Sequence, residues 1–376
     1  MGGTTLRISS ETLANQAEAT GFRPGMLEKV ALLLQLLDAV RSHPFLKDKL
    51  VLKGGTALNL FIFDVPRLSI DIDLNYVGAA DRETMLTERP KIEEAMQAVF
   101  SREGFTVRRM PAEHAGGKWQ LRYPSAGGQG GNLEVDVNFM FRISLWPVKN
   151  MDSRPVGIWQ AVGIPVMDAH ELAAGKLSAL LSRRQARDLF DCSNLFRLDG
   201  LDREHLRLAF VVYGAMSRKD LRTVAPNDVD FDIADLEQRL IPTLRATGVE
   251  NIRKDHFGKG LVENCRNFLA GLLPFTEAET VHRTTPHTIL FASNVMNYAF
   301  FRILGLHVGQ NFVREYSSTH YIGKGKELAS ITERNYTDSH EGDNLMINKW
   351  AAFVNISDWF TWRGFEDVPL NYGQTG

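Results

Sequence analysis

The chain has 376 residues, of which 44% are apolar and 23% are charged. These ordinary values exclude a disordered chain and a coiled coil. The net charge of −2 excludes nucleic-acid binding by overall charge, so any such contact needs a local basic patch.

The N-terminus and the cysteines indicate the compartment. Residues 1–10 lack the apolar core of a signal peptide, and no apolar run is long enough to span a bilayer. Cys192 and Cys265 lie far apart without a CxxC pair, which indicates a reducing compartment and no structural zinc site. We therefore expect a cytoplasmic protein without a membrane contact.

The first 145 residues predict helices combined with a sheet. Met26–Val40 has apolar residues at three- and four-residue steps, which indicates a helix. A strand at Leu50–Leu52, a turn at Gly54-Gly55 and a short helix at Thr56–Phe63 follow. Further elements are expected as a strand at Leu68–Val77, a helix at Asp81–Glu103 kinked or restarted at Pro90, and strands at Phe105–Arg109, Trp119–Tyr123 and Leu133–Phe141. The result is a mostly antiparallel sheet with helices on one side.

The rest of the chain is predicted to be mainly helical. Asp168 is expected to cap one long helix over Glu171–Phe196. Further helical segments follow over Asp202–Thr247 and Asn264–Leu273. The predicted fold class is α+β, with a sheet domain over residues 1–165, a helical domain over 166–280 that completes the site, and an extension over 281–376.

The most informative pattern is a glycine pair followed by an acidic strand. Two aspartates one residue apart on a strand, Asp71 and Asp73, point to the same face. Carboxylates on one face can hold divalent ions for phosphoryl or nucleotidyl transfer. Gly54 and Gly55, with Thr56 after them, would let the backbone approach a triphosphate closely.

A second strand supplies a third acid. Alternation along Leu133–Asn138 places Glu134 and Asp136 on one face. We choose Asp136 as the third metal ligand and as a candidate base for the acceptor hydroxyl, with Glu134 second. Either motif alone is often only a turn or a solvated strand face, but the two together, followed by a second acidic strand, are far more specific.

These motifs resemble a known family. The order of glycine pair, helix and Asp-x-Asp strand is similar to the DNA polymerase β-type nucleotidyltransferases. The finer text LVLKGGTALNL and RLSIDIDL resembles the AbiEii toxin family, whose members are the toxin halves of type IV toxin–antitoxin and phage-defence systems. The resemblance covers about Met26 to Glu279 and implies a minimal nucleotidyltransferase fold followed by a mostly helical domain.

A basic segment lies on the predicted long helix. At about 100° per residue, Lys176, Arg183 and Arg187 fall on one helix face. Three cations on one face favour a bound polyanion. The alternative is a solvated face on which Arg184 and Arg187 pair with acids at i,i+4.

The resemblance assigns roles in this segment. AGKLSALLSRRQARDLFD resembles the third and fourth motifs of the AbiEii family. It implies that Lys176 contacts the triphosphate, that Asp191 is an acid required for activity, and that Asp188 orients an arginine. Ser69 matches a hydroxyl residue implied to contact a phosphate.

The expected reaction is transfer of a nucleoside monophosphate from an NTP to an acceptor with release of pyrophosphate. Mg²⁺ is expected on Asp71, Asp73 and Asp136. The resemblance implies tRNA as the acceptor and a cognate antitoxin as the partner. The alternatives are a small-molecule or protein hydroxyl as the acceptor, a kinase-like transfer of the γ-phosphate, or a module that only binds nucleotide.

Overall fold

The computed structural model describes residues 8–109, 116–195, 197–215, 223–249 and 252–273. Residues 1–78 and 87–275 belong to one compact unit. A second unit comprises residues 79–86 and 276–376, of which only 79–86 are described. The predicted extension over 281–376 lies outside the described residues, and the boundary near residue 165 stays a prediction.

Helices and strands are mixed along the chain up to Val166, and the described elements after Val166 are all helical. The helices are α1 (Ser10–Thr20), α2 (Pro24–Ser42), α3 (Gly54–Ala57), α4 (Arg82–Arg102), α5 (Ala169–Arg183), α6 (Ala186–Leu195), α7 (Arg203–Ala215), α8 (Ile233–Asp235) and α9 (Lys254–Ala270). The strands are β1 (Leu50–Lys53), β2 (Asp71–Tyr76), β3 (Thr106–Arg109), β4 (Gly116–Pro124), β5 (Gly130–Asn138), β6 (Lys149–Met151) and β7 (Ile164–Val166). Wider helical turns continue α3 through Ile62 and α8 through Leu240.

The seven strands form one mixed sheet in the order β3-β4-β5-β2-β1-β7-β6. The pairs β2–β5 and β1–β7 are parallel, and the other four pairs are antiparallel. The predicted α+β class with a mostly antiparallel sheet is therefore confirmed. The parallel pairing of β2 with β5 places two strands that are distant in sequence side by side at the centre of the sheet.

One face of the sheet is apolar and covered. Trp119, Leu121, Val135 and Val137 are buried on this face, and the Phe100 ring of α4 meets Trp119 edge-on with centroids 5.8 Å apart. Alternation leaves the opposite face of the same strands polar, because successive strand residues point to opposite sides. The helices of the described residues include none that is long and apolar enough to cross a membrane.

Three features of the fold differ from the sequence predictions. The helix expected from Thr56 already begins at Gly54, and Pro90 lies within one continuous α4. The strands β6 and β7 were not predicted. Each has only three residues, and Pro165 lies at the centre of β7, so neither carries a visible alternation.

Candidate active site

Four carboxylates meet on the open face of β2 and β5. Asp71 lies opposite Glu134, and Asp73 lies opposite Asp136 in the parallel register. All four are only partly buried, whereas Ile72, between the two aspartates, is buried on the other face. The alternation of each strand and the register between them thus bring together the two acidic strands predicted from sequence.

The glycine pair forms the wall beside these acids. Gly54 has φ +74°, and a Cβ atom there would come within 2.2 Å of Asp73 Oδ2. A Cβ atom at Gly55 would lie 3.0 Å from an Arg67 guanidinium nitrogen and 3.1 Å from Ser69 Oγ. Only glycine fits at Gly54, because any side chain needs both a strained backbone and the space of the Asp73 carboxylate.

Thr56 and Ser69 have different surroundings. Ser69 lines the cleft beside Gly55. Thr56 is fully buried, and its hydroxyl donates to the Asp71 carbonyl at 2.5 Å. The structure therefore places the Thr56 hydroxyl behind β2, where it supports the strand and does not face the cleft.

The predicted long basic helix is broken. Residue Arg184 has φ 52°, which ends α5, and α6 begins at Ala186. The prediction of one helix over Glu171–Phe196, and of one helix face for the three cations, is therefore wrong. The break instead turns the chain so that Lys176, Arg183 and Arg187 still line the same cleft from two helices.

Asp188 holds two of these cations. Its carboxylate accepts from Lys176 Nζ at 2.8 Å and from Arg183 Nε at 2.6 Å. This contact replaces the alternative pairing of Arg184 with Asp188 at i,i+4. Burial raises the pKa of Asp188, but Lys176 and Arg183 outweigh it and hold the pKa well below its usual range.

Asp191 lies beneath the cleft and not in it. It is 0% exposed, and it accepts two hydrogen bonds from the Arg67 guanidinium at 2.7 and 2.6 Å and one from Asn59. Lys176 Nζ is 2.9 Å from Asp191 Oδ2, the oxygen that also accepts one of the Arg67 hydrogen bonds. The structure thus places Asp191 where it fixes Arg67 and Lys176 and has no access to a substrate.

The cations outnumber the acids that hold them. Arg67, Lys176 and Arg183 carry three positive charges against the two negative charges of Asp188 and Asp191. Burial alone would lower the pKa of Lys176, but the negative charges of Asp191 and Asp188 raise it by more than burial lowers it. The ammonium group therefore stays charged. One unit of positive charge therefore remains at the Gly55 end of the cleft, where an anionic phosphate would neutralise it.

Two further cations contact the carboxylates. Arg187 lies 3.4 Å from Asp71, and Lys118 of β4 lies 3.1 Å from Glu134. Burial raises the pKa of Asp71 and of Asp136, and the neighbouring Asp73 raises both further. Because both burial and the charge of Asp73 disfavour the ionised forms of Asp71 and Asp136, added positive charge would stabilise those forms.

Sequence reasoning missed three polar residues that line the cleft: Arg67, Lys118 and Gln185. Arg67 stands within the quoted motif, but its contacts with Asp191 span 124 residues and cannot be read from spacing. Lys118 could have been found by pairing the alternation of β4 with that of β5, since it lies directly opposite Asp136.

The acidic cluster offers metal ligands in pairs. In the described residues, no group of three or more His, Cys, Asp or Glu side chains is placed to hold a metal ion. Mg²⁺ commonly binds one or two carboxylates and completes its shell with water and substrate phosphates. The pairs formed by Asp71 with Asp73 and Asp73 with Asp136 fit such an open site.

Comparison with known proteins decides the family. Residues 35–285, more than half of the chain, match the family model described as "Nucleotidyl transferase AbiEii toxin, Type IV TA system". The chain belongs to the AbiEii family. It is therefore a nucleotidyltransferase toxin of a type IV toxin–antitoxin system, and the family predicted from the motifs is confirmed.

A solved structure supports the fold of this AbiEii-family chain. MenT4, a nucleotidyltransferase toxin from Mycobacterium tuberculosis H37Rv, matches with a TM-score of 0.50 and 18% sequence identity. The match covers 80% of this chain and 100% of MenT4, and at this identity it shows a shared fold alone. No curated protein sequence matches the chain.

Proposed function

We propose that this toxin transfers a nucleoside monophosphate from an NTP to an acceptor RNA in a Mg²⁺-dependent reaction, with tRNA as the leading acceptor. The observation that carries the proposal is the parallel register of β2 and β5, which places Asp71, Asp73 and Asp136 on one open face. Cations that phosphate recognition requires lie on the neighbouring wall.

Asp71, Asp73 and Asp136 would hold Mg²⁺. When bound, the metal would activate the acceptor hydroxyl and neutralise charge on the phosphates. Asp136 lies on β5, at the side of the site away from Gly55. We assign to Asp136 the additional role of accepting the proton of the attacking hydroxyl.

The triphosphate would bind to the cation wall, which we define as Arg67, Lys176 and Arg183. Gly55 and Ser69 form its floor, and Lys176, Arg183 and Arg67 surround it. The acceptor oxygen forms a bond to the α-phosphorus, the bond to the bridging oxygen breaks, and pyrophosphate leaves. Lys176 and Arg67, already fixed by Asp191, neutralise the charge that develops on the leaving group without reorganising.

The acceptor and partners follow from the family resemblance. It implies a tRNA acceptor in the cytoplasm and a cognate antitoxin, within a phage-defence system. Among the described residues, Arg187 is held only by Asp71, at 3.4 Å, so we assign it to the substrate once Mg²⁺ neutralises that carboxylate. Asp191 becomes a positioning residue, required because it holds Arg67 and Lys176.

Label transfer tests the proposal. Each α-labelled NTP is incubated with purified tRNA and Mg²⁺, and wild type is compared with Asp71→Asn and Asp71→Ala. We expect label on tRNA in the wild type and a loss of at least about 100-fold in both variants, because a metal carboxylate is removed. Asp48→Asn, whose side chain is 84% exposed in a loop, is the matched control and should keep full activity.

Other outcomes would redirect the assignment. Label on a protein or a small molecule, with none on RNA, would replace the acceptor. Transfer from γ-labelled NTP but not from α-labelled NTP would indicate a kinase-like reaction. Nucleotide binding without any transfer would contradict the catalytic role of Asp71.

A further inference from the structure

The open face of β3, β4 and β5 extends from the carboxylates and is basic. Along β4, Trp119, Leu121 and Tyr123 are buried, whereas Lys118 and Arg122 point to the other side and are partly or fully exposed. The alternation is the same as that of β5. The polar side of β4 therefore continues the surface that carries Asp136.

The strand registers fix how this face joins the site. Lys118 lies opposite Asp136, Gln120 lies opposite Glu134, and Arg108 of β3 lies opposite Gln120. Paired residues share a face and neighbouring strands lie about 4.8 Å apart. Arg108 is thus two strands, about 10 Å, from the acidic strand β5. Arg122 lies about 13 Å along β4 from Lys118.

The charges on this face are unbalanced. Arg108 and Arg122 are exposed, and neither has an ion-pair partner among the residues that the structure describes. Lys118 is 43% exposed, and among the described residues it pairs only with Glu134. Three cations thus face one carboxylate outside the metal site, in a chain whose net charge is −2.

We propose that the acceptor RNA lies across this basic face, with Arg108 and Arg122 on its phosphates and Lys118 beside its reacting end. The inference rests on the proposed nucleotidyl transfer and adds where the acceptor binds. The triphosphate takes the cation wall at Gly55, on the β1 side of the acids. The β4 side is then left for the acceptor, and Arg at this spacing suits an extended polyanion.

Charge reversal tests the proposal. tRNA labelled with a fluorophore at its 5′ end is titrated with the full chain at several salt concentrations, and anisotropy is measured. Arg108→Glu with Arg122→Glu is compared with Lys149→Glu with Arg154→Glu. The control pair is exposed at and beside β6, the opposite edge of the sheet, and carries the same change in charge.

We expect the β3–β4 double variant to bind tRNA at least about tenfold more weakly, with a log–log salt slope shallower by about 1.4 to 1.8, since two phosphate contacts are lost. NTP affinity, measured separately by calorimetry, should change less than about twofold, because the triphosphate contacts lie elsewhere. The control pair should bind tRNA like the wild type.

Three results would overturn the inference. These are unchanged binding in the β3–β4 variant, equal weakening in both double variants, and no tRNA binding by the wild type. Binding of polyglutamate that depends on Arg108 and Arg122, with none of tRNA, would assign the face to an acidic protein instead. The proposed reaction is tested by a separate measurement, the transfer of label. If no label is transferred but tRNA binds with the expected pattern, the chemistry is refuted and this binding surface is retained.

Discussion

Asp191 shows how a residue can be essential to a site that it does not touch. Its carboxylate is the counter-charge for Arg67 and Lys176, and all three side chains are buried, although only the two cations line the cleft. An arginine that is only 2% exposed needs such a partner, because an unpaired buried charge is very costly. The family motif and the buried location of Asp191 thus have one physical explanation.

We predict that Asp191→Asn lowers the free energy of unfolding by about 3–5 kcal/mol, since it leaves a buried cation uncompensated. Adding Arg67→Gln should cost much less than the sum of the two single changes, because the second change removes the unpaired charge. Urea denaturation of the four proteins measures this cycle. Strictly additive losses would contradict the assignment of Asp191 as the partner of Arg67.

At the scale of elements, Glu171 links α5 to α7. Its carboxylate is 1% exposed, accepts from the Trp146 backbone N–H at 3.2 Å, and accepts from the Tyr213 hydroxyl of α7 at 3.0 Å. Burial raises the pKa of Glu171 to about 7 from 4.5. The folded protein therefore retains this proton at pH values where the unfolded chain has lost it.

This shift fixes the sign of a pH effect. The stabilisation that protonated Glu171 contributes is fully present below the unfolded pKa of 4.5, and it is lost as pH rises through the folded pKa of about 7. The gap amounts to about 3 kcal/mol. Glu171→Gln stays neutral at both pH values. The difference in free energy of unfolding between this variant and the wild type should therefore favour the variant by about 3 kcal/mol more at pH 8 than at pH 4.5. Urea unfolding at both pH values checks it, and an equal pH dependence of the two proteins would contradict it.

Sequence patterns predicted elements better than the contacts between them. The alternation in β2, β4 and β5 identified the strands and two acidic faces, because period-two patterns are local. The break at Arg184 escaped because glycine usually marks a left-handed helix end, and here an arginine takes that conformation. The neighbours of Asp191 depend on long-range pairing, which spacing in one sequence does not encode.

At the scale of the whole molecule, the cleft couples ligand binding to stability. Ionised acids that repel one another and a surplus cation face each other across it. A ligand that brings Mg²⁺ to the acids and phosphates to the cations satisfies both sides at once. Such a ligand binds only the folded chain and stabilises it.

We predict that NTP with Mg²⁺, at about 100 times its Kd, stabilises the wild type by about 2.7 kcal/mol and raises Tm by several degrees. NTP with a chelator should give a much smaller rise, and Asp73→Asn should lose most of it because the acids then bind less metal. Differential scanning fluorimetry measures each Tm, with Asp48→Asn as the control. An equal rise with the chelator would show that nucleotide binds without the metal.

The positions of the contributing segments along the chain have a consequence for translation. The glycine wall, the acids and the buried counter-charge come from residues near 54–73, 118–136 and 176–191, and Arg67 meets Asp191 across 124 residues. A ribosome that has made only the first two segments carries a chain without Lys176 and Arg183 and without Asp188 and Asp191, the acids that hold the cations. We therefore expect no nucleotidyl transfer before α6 has left the exit tunnel, because until then Asp191 cannot pair with Arg67 and Lys176.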